Sequence, residues 1–231
     1  MAKRQLADEG KNSASTVIMP FETHEEYFIE SLGNVKPKLG YVFFKRVMDI
    51  TFSLIALLIL IVPMAIIALL IKCTSHGPAL FRQERLGLNG KRFNIIKFRT
   101  MYADAEKNGA QWSAGEHDAR ITRLGRALRK TRLDELPQLW CILKGEMSLV
   151  GPRPEREVFY NEFEKYIHGF SERLKAKPGL TGLAQVNGGY YLRPEEKFVY
   201  DVEYIKTRSI GLDIKIMFAT VKVVFNREGA K

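Results

Sequence analysis

Between Thr51 and Ile71 the chain carries no charged residue: TFSLIALLILIVPMAIIALLI. At about 1.5 Å per residue a helix of this stretch covers roughly 30 Å, the thickness of a bilayer's hydrocarbon core. A buried helix this apolar is out of proportion to so small a protein, so the pattern assigns a membrane helix over residues 41–73. Pro63 lies inside it and frees the carbonyl of Ile59, which predicts a kink or a break. Both flanks are basic, with Lys45 and Arg46 before, and Lys72, Arg82 and Arg85 after. A spanning helix carries its positive bias on the cytoplasmic side only. Cations at both ends therefore favour a chain that dips in, turns at Pro63 and returns to the same face. A single span with its N-terminus outside stays open.

Residues 1–40 are of mixed charge and weakly periodic, and read as a tail and linker ending in the turn-rich run Gly33–Gly40. A short amphipathic patch falls at Tyr27, Phe28 and Ile29. The tail either stays free, docks on the domain, or docks on a second copy of the chain in a homo-oligomer. It is not a secretory signal, because the apolar run begins too late and lacks a small-residue cleavage pattern. Residues 74–231 read as one domain. Within it, Ala79–Leu86 and Lys91–Arg99 flank a Leu88-Asn89-Gly90 tip, which predicts a β-hairpin. Lys97 and Arg99 share one face of the second strand, either solvated or turned toward phosphate. Residues 103–119 form a polar loop that could act as a lid. Ala119–Lys130 is a cationic helix with Ile121, Leu124 and Leu128 as its apolar stripe, a solvated face or one for lipid headgroups. Phe159, Phe163 and Tyr166 recur at helical spacing and read as core. Lys177–Gly182 reads as a turn, and Glu195–Lys206 as a helix carrying Asp201. Leu212–Phe225 is apolar with two lysines, a core helix or one lying in the membrane interface.

The net charge of +10 changes the picture by pointing to an anionic partner: nucleic acid, a phospholipid surface or a phosphorylated substrate. No nucleic-acid module or aromatic-basic platform accompanies the charge, so nucleic acid is set aside. The only cysteines, Cys73 and Cys141, are far apart, and the four histidines show no metal-binding spacing, so neither a disulfide framework nor a zinc site is indicated.

Asp134 and Glu135 are the candidate chemistry. Arg120, Arg123, Arg126, Arg129, Lys130 and Arg132 precede them, and Gly151-Pro152-Arg153-Pro154 follows. Thr131 has the character of an N-cap with Asp134 three residues on, which predicts the pair in the first turn of a new helix. The helix dipole and the guanidinium groups both favour an ionised carboxylate there. An ionised Asp among cations suits nucleophilic attack on phosphorus, leaving its neighbour to hold a metal. The plainer reading is a capped helix start with a solvated acid pair. Arg153, held between prolines, is a pre-set fork for phosphate.

With these pieces placed, the chain resembles the bacterial sugar transferase family of monotopic polyprenyl-phosphate phosphoglycosyl transferases. The resemblance runs from about Phe44 to Phe225. It rests on Lys45-Arg46 through Asp49, on Lys97-Phe98-Arg99-Thr100-Met101 and on Leu133-Asp134-Glu135-Leu136-Pro137-Gln138-Leu139. It continues with Lys144–Pro154, Lys177–Gly182 and Ala184-Gln185-Val186-Asn187-Gly188. It implies an α/β, mostly helical fold, with a re-entrant or single-spanning membrane helix, a cytosolic catalytic domain over residues 74–231 and interfacial amphipathic helices. It implies transfer of a sugar 1-phosphate from a UDP-sugar to polyprenyl phosphate with release of UMP, at the cell membrane, opening exopolysaccharide, capsule or O-antigen assembly. Asp134 would be the nucleophile and Glu135 would help to bind Mg²⁺. Lys97, Arg129, Arg153 and Asp201 match other active-site positions, and Arg99 and Gln185 join them as substrate-binding residues. Where the family commonly has Ser-Pro in its membrane helix, Val62 precedes Pro63 here and offers no hydroxyl to the freed backbone. The competing function is a membrane-tethered basic adaptor that binds anionic lipid or nucleic acid without catalysis.

Overall fold

The apolar segment is the middle of one long helix, α1 (Leu39–Thr74), in a computed structural model that describes residues 26–28, 31–105 and 118–226. Only 11% of its most apolar stretch is buried, and Leu58, Ile59, Ile61 and Val62 are all more than 60% exposed, as a membrane anchor requires. The helix runs through Pro63 rather than ending there. The N-terminal tail before residue 26, Ile29 of the amphipathic patch and most of the polar 103–119 loop lie outside the described residues.

Both ends of α1 are tied to the same domain. At its start Arg46 donates to the carbonyls of Ile142 and Leu143 at 2.7 and 2.6 Å, and buried Asp49 accepts from Ser148 Oγ and Leu149 N at 3.0 and 2.9 Å. Lys45 Nζ and Tyr41 OH both reach Asp213 Oδ2, at 2.8 and 3.0 Å. At its end Ile71 packs with Phe98 and Leu128, and Arg99 donates to Ser75. The segment before the helix is docked as well. Strand β1 (Tyr27–Phe28) pairs in parallel with β5 (Ile167–His168), Leu32 N donates to Glu172, and Arg208 holds the carbonyl of Val35. Of the fates open to residues 1–40, docking on the domain is the one that Tyr27, Phe28, Leu32 and Val35 take.

After α1 come the hairpin strands β2 (Leu80–Leu86) and β3 (Arg92–Phe98), antiparallel, with Leu80 opposite Phe98. Asn89 at the tip has φ +55, the left-handed turn that Asn-Gly predicts. Helix α2 (Arg123–Lys130) begins four residues later than the sequence pattern suggests, because Thr122 is the cap: its side chain accepts from Gly125 N. Ile121 is buried outside the helix, bridged to Met101. A 3₁₀ turn over Leu133–Gln138 leads into α3 (Leu139–Lys144), then β4 (Ser148–Val150) and α4 (Glu157–Phe163). The Lys177–Gly182 turn contains β6 (Gly179–Thr181), parallel to β4. This pairing needs glycines: a Cβ on Gly179 would lie 2.1 Å from Gly151 N, and one on Gly151 would lie 2.2 Å from Lys177 O. Helices α5 (Leu183–Val186), α6 (Pro194–Thr207) and α7 (Ile210–Asn226) complete the chain. Phe163, Phe170, Phe198, Ile205 and Ile216 form the core between them. Helix α7 packs one face into the core and leaves an apolar face open. Ile216 is buried, whereas Ile214, Phe218 and Val221 are exposed.

Candidate active site

The eight residues singled out for chemistry line one cavity of about 410 Å³. The hairpin supplies Lys97, and Arg99 follows from its end. Arg129 comes from α2, Asp134 and Glu135 from the 3₁₀ turn, Arg153 from the proline loop, Gln185 from α5 and Asp201 from α6. Arg85, Arg132, Arg156, Arg173 and Lys197 add further cations to its wall. The lining carries ten cationic against four acidic side chains, an excess that suits an anion.

The turn that carries the acid pair differs from its sequence reading. Thr131 closes α2 instead of opening a helix: its hydroxyl donates back to Ala127 O at 2.9 Å. Arg132 then takes φ +55, a conformation that non-glycine residues seldom adopt, and the chain re-enters as a 3₁₀ helix. The pair is therefore pressed inward, with Asp134 at 8% and Glu135 at 7% exposure, and is not a solvated helix start.

Burial separates the two acids. Glu135 is clamped by Lys97 Nζ at 3.0 Å and by both terminal nitrogens of Arg153, at 2.5 and 3.4 Å. Burial alone would raise its pKa, but Arg153 and then Lys97 overcome that and hold it well below the usual carboxylate range. Asp134 takes none of these ion pairs. Burial first, and the charge of Glu135 second, push it up to about 6, against the pull of Lys97, Arg129 and Arg153. The cations favour ionisation as the sequence suggests, but burial and the charge of Glu135 outweigh them. Near neutral pH Asp134 is an anion under pressure, which makes it the more reactive of the pair.

Other predicted residues act through neighbours. Asp201 is fully enclosed and pairs with Arg173 Nε at 2.7 Å, and Arg173 in turn donates to the carbonyl of Arg153 at 2.9 Å. Arg173 is stacked on Phe170, 4.7 Å from the ring centre. It went unremarked in the sequence because Ser171–Lys175 has no pattern that separates a cavity arginine from a surface one. Arg129 Nε donates to Thr100 Oγ1 at 2.9 Å, and Gly125 lets α2 sit directly on the Thr100 carbonyl. Gln185 donates to Leu180 O at 3.3 Å and leaves its Oε1 without a partner.

Among the described residues no three metal-ligating side chains gather. Mg²⁺ commonly takes one or two carboxylates and fills its shell with water and phosphate oxygens. The acid pair therefore fits an ion that arrives with a diphosphate, provided that Glu135 releases one of its two cationic partners.

The family model described as bacterial sugar transferase matches residues 40–227. The chain is 41% identical over 203 residues to the UDP-N-acetylgalactosamine-undecaprenyl-phosphate N-acetylgalactosaminephosphotransferase of Aeromonas hydrophila, covering 87% of this chain and 48% of that protein. It is 42% identical over 196 residues to the undecaprenyl-phosphate glucose phosphotransferase of Komagataeibacter xylinus, covering 79% and 36%. It is 52% identical over 134 residues to a putative undecaprenyl-phosphate N-acetylgalactosaminyl 1-phosphate transferase of Bacillus subtilis, covering 58% and 74%. The chain thus spans about half or less of the first two relatives.

Proposed function

The chain belongs to the bacterial sugar transferase family, and from that premise we propose that it moves a sugar 1-phosphate from a UDP-sugar to undecaprenyl phosphate in two displacements at Asp134. In the first, a carboxylate oxygen of Asp134 attacks the phosphorus that bears the sugar. The bond from that phosphorus to the bridging oxygen breaks, and UMP leaves with the electron pair. In the second, an oxygen of the lipid phosphate attacks the same phosphorus and the Asp134–phosphorus bond breaks, giving a lipid-linked diphospho-sugar. No proton transfer is needed in either displacement.

The observation that carries this reading is the split between the acids: Glu135 holds Lys97 and Arg153 in place, while its neighbour stays out of those ion pairs on a cationic wall. Lys97, Arg129 and Arg153 line the same cavity as Asp134 and would stabilise the charge that develops on a transferring phosphoryl group. On releasing one of its cations, Glu135 would hold a Mg²⁺ ion, which when bound supplies further neutralisation of the diphosphate. The relatives' names include different sugars, N-acetylgalactosamine and glucose, so the donor is proposed only as a UDP-sugar. The product would open the assembly of a lipid-linked glycan such as exopolysaccharide, capsule or O-antigen.

We place the catalytic domain on the cytoplasmic face of the cell membrane, where UDP-sugars are found, and α1 as re-entrant. Tyr27, Phe28, Leu32 and Val35, all before α1, bond to the same domain that follows it. If α1 crossed the bilayer, those residues would lie on the far side from their partners. Cysteine labelling of residues on both flanks of α1 in sealed vesicles tests this, and labelling from opposite sides would overturn it.

The chemistry is tested by incubating the full chain with a panel of UDP-sugars without acceptor. UMP release with a phosphosugar mass on Asp134 is expected, and Asp134→Asn should abolish it while membrane attachment persists. Transfer in the wild type with no adduct under trapping conditions would remove the covalent route. No transfer at all with any donor would return the chain to the adaptor reading.

A further inference from the structure

Two cations of the cavity, Arg99 and Arg129, make no ion pair among the described residues, and of these two only Arg99 has buried guanidinium nitrogens without a hydrogen-bond partner. Lys97 and Arg153 are paired with Glu135, Arg173 with Asp201, and Arg85 with Glu155. Arg99 is only 6% exposed, yet among the described residues it forms no ion pair, and its Nε and Nη1 have no hydrogen-bond partner. A buried guanidinium without a counter-charge is costly unless an anion completes it. The cations that bear most on Asp134 are Lys97, Arg129 and Arg153, so Arg99 serves another point in the cavity.

Its seat is specific. Nη2 donates at 2.8 Å to both the carbonyl and the hydroxyl of Ser75, the residue that closes the membrane helix, and Ser75 Oγ passes its own proton to Ile71 O at 3.2 Å. Gly77 leaves the room: a Cβ there would lie 2.2 Å from Nη1. The cavity wall beside this point is apolar. Pro78, Leu80 and Phe81 line it, and Leu80 and Phe81 are 41% and 42% exposed directly after the membrane helix. A cation fixed to the end of the long apolar helix, beside an apolar stretch of the cavity wall, matches an anion that arrives on a hydrocarbon chain.

We propose that Arg99 is the binding group for the phosphate of the lipid acceptor, held at the membrane edge of the cavity while the donor phosphate is met by Arg129, Arg153 and Lys97. This rests on the transferase reading for its role, but the binding can be tested without it. Displacement of a labelled polyprenyl phosphate from the full chain in nanodiscs is measured for the wild type, Arg99→Gln, Arg99→Lys and Gly77→Ala. Loss of one charge-assisted contact predicts at least about tenfold weaker binding for R99Q, partial recovery in R99K, and weakening in G77A, where the charge remains but its seat is filled. The same chain ending in an alcohol should bind equally to wild type and R99Q. Wild-type-like binding by R99Q, or equal loss for the phosphate and the alcohol, would overturn the assignment. So would displacement of the lipid by inorganic phosphate at equimolar concentration, which would make Arg99 a site for free phosphate. With a UDP-sugar, R99Q should raise the acceptor concentration for half-maximal transfer about tenfold or more, with a much smaller effect on adduct formation. A wild type that binds the lipid through Arg99 but never forms the adduct would sink the covalent transfer and leave this site standing.

Discussion

Replacing Asp134 with asparagine should abolish chemistry and make the protein more stable. Burial and the neighbouring Glu135 raise the Asp134 pKa from 3.8 to about 6. Two units at about 1.4 kcal/mol each make the ionised side chain cost the fold about 3 kcal/mol near pH 7.5. That figure already includes the attraction of Lys97, Arg129 and Arg153, which pull the other way. The sign follows from proton binding. Between the unfolded value and about 6, the native state keeps a proton that the unfolded chain has lost, so stability falls as pH rises through that window. The amide of the variant has the same shape without a charge to desolvate. For a domain of this size, about 3 kcal/mol corresponds to a rise in Tm of roughly 6–12 °C. The advantage should shrink to about half at pH 5, where the native wild-type side chain is mostly protonated, and nearly vanish at pH 4. Thermal unfolding of both proteins in the same nanodiscs at three pH values measures it. An asparagine variant that melts at or below the wild-type temperature at pH 7.5, or a gain that is flat across pH, would refute the reasoning.

The same ionisation sets the rate. Adduct formation should fall about tenfold per pH unit below about pH 6, which a pH series of UMP release checks. Asp201→Ala leaves Arg173 buried without its partner and should cost about 3–5 kcal/mol in unfolding, while Arg173→Met/Asp201→Leu should regain most of that. The double variant should still be catalytically poor, since Arg173 no longer holds the Arg153 carbonyl. Gly179→Ala drives a methyl into Gly151 N and Thr181 O, so the Arg153 loop must move, and transfer should fall together with Tm.

Much of the site was legible because its signals are local. Asn89-Gly90 sets the hairpin, and with it Lys97 and Arg99 at the end of one strand. Pro194 and the glutamates after it mark the start of α6, which carries Asp201. What was illegible depends on partners distant in sequence. Gly179–Thr181 reads as a turn until Ser148–Val150 lies beside it. Thr131 has the chemistry to cap either end of a helix, since a hydroxyl can accept from an N–H ahead of it or donate to a carbonyl behind it. The left-handed turn at Arg132 decides for the second. The strand inside the Lys177–Gly182 turn and the 3₁₀ turn over Leu133–Gln138 share one cause: their neighbours come from elsewhere in the chain.

The burial of Asp134 follows from that turn and explains why two adjacent acids take different parts. Both lie on one cationic wall, so the cations alone would depress both pKa values together. They are separated by geometry: Glu135 reaches Lys97 and Arg153, and Asp134 bears the desolvation without an ion pair of its own in this set. Glu135 also keeps those two cations from neutralising its neighbour in the resting protein. An incoming diphosphate offers Lys97 and Arg153 a second set of anionic oxygens, so the strain on Asp134 and the occupancy of Glu135 are two sides of one arrangement. Glu135→Gln tests this link. With the competing acid gone, Lys97 and Arg153 can turn to Asp134 instead, so its titration should move downward and its nucleophilicity should fall. A pH profile of adduct formation shifted to lower pH with a reduced plateau is the expected result, and a reduced plateau with an unshifted profile would show that Glu135 does not govern its neighbour.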